Sequence, residues 1–195
     1  MNKIKGGDKS GQVCWKNQKA QVWVETVIYT LIALVVIGLF ISFAKPKIEE
    51  IQDKAVVEQS VEMLEEINEL ILSITQGGAG NQRIIELGIK KGGLEINASK
   101  DQLLFQIEGK YTFTEPGENG SPGENINIGN VIANTQKIGS INKVTLISNY
   151  SQRYNITYQG METVKKINKS PVPYKLSISN KGAVGGMQII DIALI

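Results

Sequence analysis

The chain has 195 residues, with 21 Lys or Arg against 19 Asp or Glu, no His and one Cys. Without His there is no imidazole metal ligand and no His-based catalytic triad, and a lone Cys makes neither an internal disulfide nor a Cys-cluster zinc site. A net charge of +2 with 6% aromatic residues lacks the basic face and stacking rings of a nucleic-acid binder, so no nucleic acid is expected as a partner.

The length suits one domain, or one domain plus an extension. Charge and hydropathy are spread unevenly along it. Residues 1–20 carry Lys3, Lys5, Lys9, Lys16 and Lys19 against Asp8 alone, with Gly6, Gly7 and Gly11 among them. Such a segment cannot pack a core and reads as a basic leader peptide or tail. Cys14 lies inside it, without the preceding apolar stretch that a lipoprotein signal needs. Residues 26–44 are then 19 uncharged residues in a row. A membrane-spanning helix takes about 20. A buried core helix is the blander alternative, but core helices are rarely apolar on every face. Five lysines precede the run, and Lys45, Lys47 and Lys54 after it are interleaved with acids. The positive-inside rule therefore puts the N-terminus in the cytoplasm and the bulk of the chain outside. Glu25 stands at the edge of this apolar helix. A carboxylate there is costly and asks for a partner, or else for a position where it reaches headgroups or water.

The order Lys-rich leader, Ala20-Gln21-Val22-Trp23-Val24-Glu25 and apolar helix resembles the class III signal of archaeal type IV pilin-like proteins. The resemblance covers about residues 16–76. It implies that a prepilin peptidase cuts between Ala20 and Gln21, making Gln21 the mature N-terminus and Glu25 its fifth residue. It further implies a helical homopolymer, an assembly platform with its ATPase, and residence in membrane lipid before assembly. Trp23 departs from the small residue that many relatives have there. Physically, cleavage creates an α-amino group four residues from Glu25. A neighbouring subunit displaced along a filament axis can bring its own new ammonium against that carboxylate, forming an assembly salt bridge.

Pro46 comes just after the uncharged run, and an interior proline bends a helix or ends it. The stretch 45–76 then places Ile48, Ile51, Ala55, Val57, Val61, Leu64, Ile67, Leu70, Ile71 and Ile74 at steps dominated by three and four. Acids such as Glu49, Glu50, Asp53, Glu58, Glu62, Glu65, Glu66 and Glu69 fill the other faces, read as solvated or as meeting lysines of adjacent subunits. Gly77, Gly78 and Gly80 stop the pattern. One kinked helix over 21–76, about 80 Å long, is expected, with 21–44 as transmembrane and filament-core segment and 45–76 as amphipathic stalk. Gly38 and Ser42 form a small-xxx-small spacing that permits close helix approach.

After residue 81 the period changes. Strands are expected over 84–90 paired with 93–97, over 103–113, 144–148, 154–158 and 174–178, and over 187–195, the last nearly all apolar and suited to a central position. Residues 115–125 read as an exposed loop. The fold class is therefore α+β: a long N-terminal helix, kinked near Pro46 and packed by a C-terminal antiparallel β domain over 82–195. Asn-X-Ser/Thr sequons begin at Asn97, Asn119, Asn149, Asn155 and Asn168. Asn97, Asn149 and Asn155 are the candidate glycosylation sites, since Pro122 and Pro171 follow the other two motifs.

No P-loop, dinucleotide fingerprint or nucleophile elbow occurs. The glycines of residues 77–80 end a helix instead of opening one, the wrong polarity for phosphate capture. No catalytic residue, cofactor or metal is expected. The expected function is that of a structural pilin in a type IV pilus-like surface filament, first in the cytoplasmic membrane and then outside the cell. A single-pass anchored binding module, or a minor pilin or tip adhesin, are the alternatives.

Overall fold

The computed structural model describes residues 18–195, with side-chain surroundings from Val22 onward; residues 1–17 of the expected leader, with Cys14, lie outside them. The chain divides into two compact units, Met1–Lys45 and Pro46–Ile195. Helix α1, Gln18–Gln76, runs through the boundary and contains Pro46. The helix therefore does not end at the proline. Pro46 has no N–H to give to the Ser42 carbonyl, so one rung of the ladder is missing there.

In the first unit the apolar residues of α1 are exposed all round, from Val22 to Phe43. In the second unit α1 becomes one-sided. Val57, Val61, Leu64, Ile67, Ile71 and Ile74 are buried, at steps of three and four. Ile48 and Ile51, which share the sequence pattern, stay 53% and 60% exposed. The covered stripe begins at Asp53, an acid that the pattern assigned to the solvated faces. The helix closes at Gly77 and Gly78: the Gly77 N–H donates to the Ser73 carbonyl, and Gly78 takes φ 85°, a left-handed conformation that favours glycine.

Ten strands follow: β1 (Gln82–Leu87), β2 (Gly93–Asn97), β3 (Gln102–Gly109), β4 (Ile126–Ile128), β5 (Val131–Ile138), β6 (Ile141–Asn149), β7 (Tyr154–Tyr158), β8 (Val164–Asn168), β9 (Tyr174–Val184) and β10 (Met187–Leu194). They form a four-stranded sheet, β1-β9-β10-β7, and a six-stranded sheet, β4-β5-β6-β3-β2-β8. Three expectations are corrected here. β1 and β2 do not pair; β1 joins β9, whereas β2 lies between β3 and β8. The β domain is antiparallel-rich but not wholly so, because β10 runs parallel to β7. β4, β5 and β8 were not expected. Their Asn, Gln and Lys residues, together with the buried Thr135, dilute the apolar signal of Val131, Ala133 and Ile167, which are buried. β10 has an interior place in its sheet, as its apolar run required.

The second unit has one contiguous core. The six-stranded sheet supplies Leu94, Ile96, Leu103, Phe105, Ile107, Val131, Val144 and Leu146; the four-stranded sheet supplies Ile156, Leu176, Ile178, Ile190 and Ile192. The stripe of α1 joins both. An α+β architecture follows, with a long apolar N-terminal helix whose second half is covered by a β body. Asp101 links the sheets at one end: its carbonyl accepts from the Tyr150 N–H at 2.8 Å, and its carboxylate accepts from the Ile156 N–H at 2.7 Å.

Candidate functional site

The residues singled out in the sequence fall in two places. Ala20 and Gln21 lie in the first turn of α1. Glu25, Gly38 and Ser42 follow on the same helix, all exposed, and Pro46 opens the second unit. The apolar segment they punctuate contains an 18-residue window of mean hydropathy 2.7, none of it buried. This helix is long and apolar enough to cross a membrane, and its surface points to membrane anchoring.

Polar groups inside the segment are mostly satisfied by the helix itself. Thr26 Oγ1 donates to the Val22 carbonyl at 2.9 Å, and Thr30 Oγ1 to the Thr26 carbonyl at 2.7 Å. Such back-bonding hides a hydroxyl from an apolar solvent. Glu25 is different. A carboxylate only accepts, and the carbonyls around it offer nothing. Its partner is Tyr29, whose hydroxyl donates to Glu25 Oε1 at 3.1 Å, one turn on. Sequence reasoning missed this pair, although its four-residue spacing was the available signal. At Gly38, an added Cβ would meet nothing within 4 Å. The segment's own chain therefore does not need a glycine there.

The sequons are placed on the β body, well apart from the helix residues in sequence. Asn149 is exposed; its Oδ1 accepts from the Ser151 N–H at 3.1 Å and Oγ at 2.9 Å, which leaves its amide nitrogen facing solvent. Asn97 is half-buried, and its Nδ2 donates to Glu95 Oε1 at 3.3 Å. Asn155 is also half-buried, with Oδ1 enclosed and unpartnered. Asn119 and Asn168 are exposed. Of the three candidates, Asn149 offers the most accessible acceptor.

Among the described residues, no three His, Cys, Asp or Glu side chains stand close enough to hold a metal ion. Most acids on α1 are solvent-facing, two of them beside lysines: Lys47 lies 2.8 Å from Glu50 and Lys54 3.7 Å from Glu58. Asp53 is the exception, buried and held by Lys91 and by the Lys110 N–H at 2.7 Å. The chain matches no protein-family model, no curated protein and no solved structure.

Proposed function

We propose that the chain is the precursor of a structural subunit of a type IV pilus-like surface filament, and that it is not an enzyme. One observation carries this reading. A single helix has its second half in the core of a β body, while its first half exposes Leu, Ile, Val and Phe on every side. Such a surface is unstable in water and needs lipid or other copies of itself. In this reading the chain enters the cytoplasmic membrane with its N-terminus inside. A prepilin peptidase removes the leader between Ala20 and Gln21, and an ATPase-driven platform transfers the helix from lipid into a filament core. Gly38 and Ser42 let neighbouring helices approach, Pro46 bends the helix, and the β bodies tile the outside. Glycans on Asn149, and on Asn97 and Asn155 where accessible, would face the medium.

Glu25 drives assembly here, because only the polymer brings a neighbour's terminal ammonium to it. N-terminal mass spectrometry of material sheared from cells should find a product starting at Gln21. Glu25→Ala should give a cleaved, membrane-resident protein that forms no filaments. A product starting at Met1 and retained in the membrane would assign the chain as an anchored binding module instead.

A further inference from the structure

The partner of Glu25 before assembly is given by the helix itself. Between residues 22 and 44 there is no basic side chain. The segment's donors are Trp23, Thr26, Tyr29, Thr30 and Ser42. Thr26 and Thr30 already donate backwards to backbone carbonyls. Trp23 stands two residues before Glu25, a spacing that puts side chains on different faces. Ser42 is several turns away. Tyr29 is on the right face, and its hydroxyl reaches Glu25 Oε1 at 3.1 Å. Oε1 is the oxygen that Tyr29 takes, and Oε2 carries no bond among the described residues.

We propose that Tyr29 is the positioning residue for Glu25: its hydroxyl holds the carboxylate along the helix in lipid and leaves Oε2 free for the terminal ammonium of a second copy of this chain. The proposal rests on the filament reading for its second half only. In water an exposed hydrogen bond of this kind adds little. In hydrocarbon the same bond is strengthened by the low dielectric, and the carboxylate has no competing water. A carboxylate has about four lone-pair sites, so accepting from Tyr29 does not block a second donor. The bond also limits the rotamers of Glu25, which reduces the ordering needed when the neighbour arrives.

The test uses the full chain in its own membrane, with dicyclohexylcarbodiimide as a carboxyl probe that enters lipid. Glu25 is the sole carboxylate between residues 22 and 48, so labelling within that peptide reports on it alone. Tyr29→Phe keeps the ring and removes the donor. It should speed labelling of Glu25 about fivefold, the effect of one lost hydrogen bond. Filament yield should fall several-fold, with leader cleavage unchanged. Labelling at the wild-type rate would overturn the proposal whatever the yield, and would leave Tyr29 as an interfacial aromatic ring. Normal filaments from Glu25→Ala would instead overturn the filament reading, while the labelling rate still decides the Tyr29–Glu25 bond.

Discussion

Asp53 joins α1 to the β body through two donors from distant parts of the chain. Lys91 is 38 residues away and the Lys110 N–H is 57. Gly109 makes the approach feasible, since a Cβ there would collide with the Asp53 carboxylate. Asp53→Ala leaves a backbone N–H without its acceptor and should cost about 2 kcal/mol. Gly109→Ala should cost a similar amount by displacing the same carboxylate. The double variant should lose less than the sum, because both changes remove one interaction; urea denaturation of the four proteins measures it. Tyr150 makes a second residue-scale prediction. Its hydroxyl is enclosed without a hydrogen-bond partner, and burial pushes it up to about 12. The nearby Ser148 hydroxyl opposes the rise, and Tyr154 adds to it. The folded state thus keeps its proton where the unfolded chain, near 10, has lost it. Stability from this group is complete below pH 10 and falls as pH rises towards 12. Tyr150→Phe should flatten that alkaline loss and be close to neutral at pH 7. Urea midpoints at pH 8 and pH 11 check both.

Among elements, α1 shows why one sequence pattern has two fates. Ile51 and Leu64 occupy the same apolar periodicity, yet Ile51 is 60% exposed and Leu64 fully buried. Leu64→Ala should cost about 2–5 kcal/mol through a cavity in the core. Ile51→Ala should fall within about 0.5 kcal/mol of wild type. Both are read from denaturation midpoints. At the other end of the stalk, Asn180 of β9 finishes the helix. It is 1% exposed, and its Nδ2 donates to the Gly78 carbonyl at 3.2 Å while its Oδ1 accepts from the Gly182 N–H at 2.9 Å. Asn180→Ala removes both bonds from partly exposed backbone groups and should cost about 1 kcal/mol. Faster amide exchange around residues 74–82 would show that the loss is local to the helix end.

At the scale of the whole molecule, every buried hydrophobic residue among those described lies between Val57 and Ile192. The second unit therefore holds its own core and should fold without the first. A chain of residues 46–195 should be soluble without detergent and should unfold cooperatively in urea. The full chain should need detergent, lipid or polymerisation. Gel filtration with and without detergent separates the two cases, and aggregation of the shorter chain would show that the first unit contributes to the fold.

The apolar segment, the position of Glu25, the helix stop at Gly77 and the central character of β10 were legible in the sequence. Each is a local property: an uninterrupted run, a charge beside it, a glycine-rich break, a nearly all-apolar strand. The pairing of β1 with β9, the parallel contact of β10 with β7, the burial of Asp53 and the capping by Asn180 were decided by tertiary structure. In each case the partner lies tens of residues away, so nothing near the residue signals it. The same limit applies to the stalk, where periodicity marked a stripe from Ile48 to Ile74 but only the extent of the β body determined how much of it is covered.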